Sequence, residues 1–66
     1  MRIYVNGKET EAAEQLSVAV LVSELGLNHD TVVVEHNLVI LPKEEWPQLV
    51  LTAEDKLEII TFVGGG

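Results

Sequence analysis

The sequence contains no cysteine among its 66 residues. A disulfide framework is therefore excluded, and so is a structural metal site built on thiolates. The chain also cannot hold sulfur, or act as a nucleophile, through a side-chain thiol. A chain of 66 residues makes one small domain, and at this size only about 60% of the surface is buried on folding. The fold must therefore be stabilised by its apolar core alone.

Basic residues are scarce, because four Lys and Arg residues stand against eleven Asp and Glu residues, for a formal net charge of −7. This balance argues against binding to nucleic acid or to an anionic membrane surface. It favours association with basic protein partners. No segment has the length of a membrane span or the pattern of a secretory signal, so we expect a cytoplasmic protein.

The first half of the sequence predicts a hairpin. Residues 2–5 alternate, with Ile3 and Val5 on one face. The pair Asn6-Gly7 follows, which is the strongest short signal for a type I′ turn. Residues 8–13 then form a weak second strand whose charges are typical of a sheet edge.

A single helix follows the hairpin. Ser17 is a favourable N-cap and Gly26 a favourable C′ residue, so the helix is expected over residues 17–25. Its apolar stripe repeats at helical spacing. The residues of this stripe are Val18, Leu21, Val22 and Leu25.

The second half predicts strands and one helical turn. The turn is expected at residues 43–46, and the extended segments are 31–35, 38–41, 48–51 and 57–63. If the last strand lies beside the first, the two are parallel and central. The fold is then α+β, a β-grasp with a mixed sheet of four or five strands and one helix on one face. The domain would span residues 1–63, followed by a flexible glycine tail at 64–66.

The last strand is apolar on both faces. Leu57 and Ile59 are expected to face the helix, whereas Ile60 and Phe62 face outwards, near Tyr4. An exposed apolar patch formed by Tyr4, Ile60 and Phe62 would be a surface for a protein partner. The alternative is that a loop covers these residues.

The tail Gly64-Gly65-Gly66 is thin enough to enter a narrow channel, and it ends the sequence in a carboxylate. Three extended residues reach roughly 10 Å. The tail alone leaves two interpretations open, a functional C-terminus or a frayed chain end.

Other candidate sites are weak. His29 and His36 have no third ligand at metal spacing, so turn or surface positions are favoured for them. Glu44-Glu45 and Glu54-Asp55 could act as acid–base pairs, but adjacent carboxylates in polar turns are usually only solvated. Trp46 is favoured as an anchor for a small core beneath its loop.

The sequence resembles the ThiS family of thiamine-pathway sulfur carriers, which have a ubiquitin-like β-grasp fold. The resemblance covers nearly the full length. It is carried by the start Met1–Gly7, the middle segment Val34–Trp46 with its run Pro42-Lys43-Glu44-Glu45-Trp46, and the end Asp55–Ile60 with Val63–Gly66. The chain departs from the family at Leu38 and Glu54, where glycine is common. These two substitutions leave the local turn types open, because non-glycine residues resist a positive φ.

The resemblance implies that the protein is a co-substrate and not an enzyme, with no bound cofactor. An adenylating enzyme of the ThiF type would activate Gly66 with ATP. A sulfur-donating enzyme would supply sulfur, which displaces AMP to give a thiocarboxylate. Gly64 and Gly65 would enter the partners' active sites, and thiazole synthase of the ThiG type would take the sulfur. The free carrier is expected to be a monomer.

Two alternatives remain at this point. One is the small subunit of molybdopterin synthase, whose tail chemistry is the same. The other is a ubiquitin-like modifier or a non-covalent interaction module.

Overall fold

The computed structural model describes residues 1–62. Val63, expected at the end of the last strand, and the glycine tail Gly64–Gly66 lie outside the described residues. The elements in chain order are β1 (Arg2–Val5), β2 (Lys8–Glu11), α1 (Val18–Glu24), β3 (Val32–His36), β4 (Val39–Leu41), a 3₁₀ turn (Lys43–Glu45) and β5 (Lys56–Thr61).

The five strands form one sheet in the order β2-β1-β5-β3-β4. β1 and β5 run parallel, with Tyr4 opposite Lys56 and Val5 opposite Leu57. The other neighbouring strands are antiparallel. The predicted β-grasp is confirmed, with the first and last strands side by side and five strands in the sheet.

The core lies between α1 and one face of the sheet. Ile3, Leu57 and Ile59 are buried on the two adjacent strands, as their alternation predicts. Burying each such side chain stabilises the fold by roughly 1.5–3 kcal/mol. The helix contributes Val18, Leu21 and Val22 to the same cluster. A bridge between Ser17 and Val50 ties the 48–51 segment to the start of the helix, so this segment covers the end of the core.

The helix begins and ends at the predicted signals. Ser17 accepts a hydrogen bond from the backbone N–H of Val20 at 3.2 Å. Gly26 has a φ of +73°, and the N–H of Leu27 donates to the carbonyl of Val22 at 3.3 Å, which completes a Schellman motif. The expected burial of Leu25 is wrong, because this residue is the C-cap and is exposed. Leu27, beyond the glycine, packs on the core instead.

Several predicted boundaries shift by one or two residues. β2 ends at Glu11 instead of residue 13, and β3 extends to His36, which was expected in the bend. The carbonyl of Met1 accepts a hydrogen bond from Ala12 at the end of the hairpin. Ala12 is itself buried, so the chain turns into the core at the position where the strand was expected to continue.

Positive φ values occur in several turns of residues 1–62, and three of these turns contain positions singled out in the sequence. Asn6 and Gly7 have φ values of 51° and 78°, as the predicted type I′ turn requires. Leu38 and Glu54, at φ values of 75° and 72°, adopt the left-handed region although neither is glycine. An L-residue in this region costs roughly 1–2 kcal/mol. The two departures from the family pattern therefore keep the turns and add strain.

We predict that Leu38→Gly stabilises the protein by about 0.5–1 kcal/mol. The substitution relieves the left-handed strain, and part of this gain is offset by the greater entropy of glycine in the unfolded chain. The side chain of Leu38 is 89% exposed, so little packing is lost. Urea unfolding followed by Trp46 fluorescence measures the difference. Leu38→Ala keeps the backbone strain and should leave stability unchanged; an equal gain in both variants would contradict the strain argument.

Candidate functional site

The candidate site is the end of β5, where the chain leaves the sheet towards the glycine tail. On the outer face of the sheet, away from α1, the exposed side chains of Ile60 and Phe62 mark this end. Ile60 lies opposite Val33 on the neighbouring strand β3. The relative exposures of Ile60 and Phe62 are 47% and 58%, so neither is covered by a loop. Ile60 and Phe62 therefore form an exposed apolar surface at this end of the strand, and its use by a partner stays a prediction.

The structure separates Tyr4 from the other two residues of the predicted patch. Tyr4 is on the same face, but it lies opposite Lys56 at the start of β5. Four residues of strand, or about 13 Å, separate this position from Ile60. The guanidinium of Arg2 sits over the Tyr4 ring, 5.9 Å from its centroid. Tyr4 therefore belongs to a polar region at the opposite end of the strand.

Acidic side chains border the apolar surface. Glu35 of β3 lies directly opposite Glu58 of β5 on the same outer face. Like charges in this arrangement destabilise an isolated sheet slightly. They also give the surface beside Ile60 a negative potential, which suits a partner with basic side chains.

Asn6 holds the end of β5 from the other side, a role that its turn motif did not reveal. Its side-chain amide donates to the carbonyl of Ile59 at 3.2 Å. Its side-chain oxygen accepts from the N–H of Ile59 at 2.7 Å. The side chain thereby acts as one more residue of strand after β1 has ended. A hairpin signal predicts the turn but not this second function, which requires the position of the last strand.

The start of β5 is held by a polar network around Asp55, whose carboxylate is almost fully buried. It accepts hydrogen bonds from the N–H of Thr52 at 2.9 Å and from the side-chain amide of Asn37 at 3.2 Å. His36 Nε2 lies 2.9 Å from it. Burial raises the pKa of Asp55, but the bonds from Thr52, His36 and Asn37 outweigh it and the pKa is lowered. The expectation that Glu54-Asp55 is only solvated is wrong for Asp55.

Two of the remaining candidate residues, Glu54 and Trp46, have structural roles. Glu54 pairs with Arg2 at 2.7 Å, and Trp46 is buried as predicted, with its indole N–H donating to the carbonyl of Leu41 at 3.1 Å. His29 is exposed beside Asp30. Within residues 1–62 no three His, Asp or Glu side chains are grouped closely enough to hold a metal ion. In the same part of the chain no helix is long and apolar enough to cross a membrane.

Known proteins resemble this chain over nearly its whole length. The ThiS family profile matches residues 2–66, nearly the whole chain. The chain belongs to the ThiS family. A crystal structure of a thiamine biosynthesis protein (ThiS) from Geobacter metallireducens superposes with a TM-score of 0.86 at 35% sequence identity, and each chain covers 100% of the other. The ubiquitin-like β-grasp fold expected from the resemblance is therefore shown.

Curated relatives are of two sizes. The sulfur carrier protein ThiS of Bacillus subtilis (strain 168) is 32% identical over 65 residues, covering 97% of this chain and 98% of that protein. A thiazole synthase of Paramagnetospirillum magneticum (strain ATCC 700264 / AMB-1) is 41% identical over 66 residues. This chain spans only 20% of the length of that thiazole synthase.

We predict that Asp55→Asn lowers the free energy of unfolding by about 2 kcal/mol at pH 7, because hydrogen bonds to a charged carboxylate are lost. The folded-state pKa is lowered, so this stability is present above the unfolded pKa of about 3.9 and is lost as pH falls through the folded value. Urea unfolding between pH 7 and strongly acidic pH measures the gap between wild type and variant, which should shrink in acid.

Glu24→Gln is the control, since Glu24 is exposed on α1 and its charge has no part in this network. A gap between wild type and Asp55→Asn that stays constant into strong acid would show that the carboxylate charge is not the source of the stability.

Proposed function

We propose that the protein is a sulfur carrier of thiamine biosynthesis that holds its sulfur as a thiocarboxylate on Gly66. The observation that carries the proposal is the extent of the family match, which runs from residue 2 through the three glycines at 64–66. The Bacillus subtilis relative of nearly equal length is named a sulfur carrier protein. The chain has no cysteine, so no side-chain thiol can carry the sulfur.

The chemistry follows from the properties of a carboxylate. A free carboxylate is a poor acyl electrophile and must be activated. An adenylating enzyme of the ThiF type binds ATP, and a carboxylate oxygen of Gly66 attacks the α-phosphorus with loss of pyrophosphate. Sulfide released by a sulfur-donating enzyme then attacks the carbonyl carbon and AMP leaves, which gives the thiocarboxylate. ATP is thus a substrate of the partner and not a cofactor of this chain.

The thiocarboxylate then delivers sulfur to thiazole synthase. The support for this acceptor is that relatives covering the whole of this chain are named thiazole synthase. The protein is a carrier and not an enzyme, because the groups that activate and accept the sulfur belong to its partners. We place the carrier in the cytoplasm, since its activation consumes ATP.

Docking uses the apolar end of β5. Ile60 and Phe62 are exposed immediately before the tail, so a partner that binds them is within reach of the glycines. Gly64 and Gly65 have no side chain that would clash with the walls of a narrow active site. The neighbouring carboxylates of Glu35 and Glu58 favour a basic partner surface.

We predict that the protein, produced with the sulfur machinery of its host, carries sulfur in place of one oxygen at its C-terminal peptide. Intact mass spectrometry followed by peptide mapping detects this change, or an AMP adduct at the same place. A chain that lacks Gly65 and Gly66 should show neither. An unmodified terminus after incubation with ATP, the adenylating enzyme and a sulfur donor would overturn the proposal. Isopeptide-linked adducts on lysines would instead identify a protein modifier.

We predict that Ile60→Ser and Phe62→Ser each slow thiocarboxylate formation by about tenfold, because each removes an apolar docking contact. Both residues are exposed, so the thermal unfolding midpoint should change little. Leu38→Ser is the matched control, since Leu38 is a more exposed apolar residue in a turn near the start of β5. An equal loss of rate in all three variants would argue against a docking site at the end of β5.

A further inference from the structure

The strand β5 continues past the end of its neighbour β1. The last paired position between the two strands is Val5 opposite Leu57. On its other side, β5 remains paired with β3 as far as Thr61 opposite Val32. The final residues of β5 therefore have a neighbouring strand on one side only.

The ladder between β3 and β5 fixes the direction of the main-chain groups at this end. The N–H of Phe62 donates to the carbonyl of Thr31 at 2.8 Å, so Phe62 directs its main-chain groups towards the β3 side. In an antiparallel pair, hydrogen-bonded and non-hydrogen-bonded positions alternate. The N–H and C=O groups of Ile59 and Thr61 therefore point away from β3, into the line of β1.

The main-chain groups of Ile59 and Thr61 differ in their hydrogen bonding. Both main-chain groups of Ile59 are bonded by the side chain of Asn6, at 2.7 and 3.2 Å. For Thr61, no group within residues 1–62 accepts from its N–H or donates to its carbonyl on this side. Thr61 is exposed to solvent. An open strand edge of this kind is a template for the addition of another strand.

We propose that an extended segment of the sulfur acceptor, thiazole synthase, adds to β5 at Thr61 through main-chain hydrogen bonds. This inference rests on the proposed function, and it specifies how the acceptor holds the carrier. The segment would occupy the line that β1 leaves at Asn6, which is the strand-addition mode of peptide recognition.

The surroundings of Thr61 fit an extended protein segment. Ile60 and Phe62 precede and follow Thr61 in the chain and present exposed apolar side chains on the outer face. A segment bound to the main chain of Thr61 would lie against both. Glu58 and Glu35 add negative charge along the same face, which complements basic side chains of the segment. These main-chain hydrogen bonds would form immediately before the glycines. They would fix the position from which the tail enters the acceptor.

Hydrogen exchange on the wild-type carrier tests the proposal without any substitution. The amide of Thr61 should exchange rapidly in the free protein, whereas that of Ile60, bonded to β3, should be protected. On addition of purified thiazole synthase from the same host, exchange at Thr61 should slow by at least about tenfold. Rapid exchange at Thr61 in the saturated complex would overturn the proposal.

A second test removes the main-chain N–H of Thr61. Thr61→Pro deletes an N–H that faces the open side, a position at which proline is tolerated in a sheet. The variant should bind thiazole synthase more weakly, on the order of tenfold, with little change in stability. Thr61→Val keeps the N–H and should bind as the wild type does. Equal binding by the proline variant, or an equal loss with valine, would overturn a main-chain contact.

These results separate the two proposals. A wild-type chain that becomes thiocarboxylated and binds thiazole synthase, but whose Thr61 amide stays unprotected, retains its proposed function and refutes only the strand addition. A chain that neither becomes modified nor binds the enzyme refutes both. If Thr61→Pro fails to fold, the exchange result on the wild type decides the question.

Discussion

The parallel pairing of β1 with β5 is the interaction on which the rest of the structure depends. It brings the first strand and the last one to the centre of the sheet and leaves β2 and β4 at the edges. The buried residues Ile3, Leu57 and Ile59 then form a continuous apolar floor for α1. Without this pair the β2-β1 hairpin would be separated from β5, β3 and β4, and the helix would have only part of a sheet to cover.

The two ends of β5 are built for different tasks. At its start, the buried carboxylate of Asp55 ties together the 52–55 turn and the turn after β3. At its end, the side chain of Asn6 bonds Ile59, and Thr61 has no main-chain partner on the β1 side within residues 1–62. Within residues 1–62, β5 therefore has a neighbouring strand on both sides at Leu57 and on the β3 side alone at Thr61.

Much of this arrangement is readable from local sequence signals. Asn6-Gly7, Ser17 and Gly26 specify a turn and two helix ends through their own backbone preferences, and all three are confirmed. Alternation along β5 correctly separates the buried Leu57 and Ile59 from the exposed Ile60. These signals depend on neighbours in the chain, so no knowledge of the tertiary structure is needed.

The features that were missed depend on residues far apart in sequence. The contacts of Asn6 with Ile59, and of Asp55 with His36, form only when distant strands are in register. The same is true of Tyr4, whose distance from Ile60 follows from the register of β1 on β5. Leu25 shows a different limit of prediction from sequence. Its spacing places it in the apolar stripe, but the helix ends at Glu24 and Leu25 is the exposed C-cap. The role of the glycine tail rests on chemistry and on the family resemblance, since residues 63–66 lie outside the described structure.

The position of β5 in the centre of the sheet also has a consequence for synthesis of the protein. A nascent chain that has left the ribosome only as far as β4 lacks its middle strand, so β1 and β3 have nothing between them. Folding on the ribosome is therefore delayed until the final strand emerges, because the contacts that close the sheet have the longest sequence separation. Chains that terminate before β5 would remain unfolded and open to proteolysis. They would not accumulate as folded proteins that bind a partner but lack the C-terminal tail.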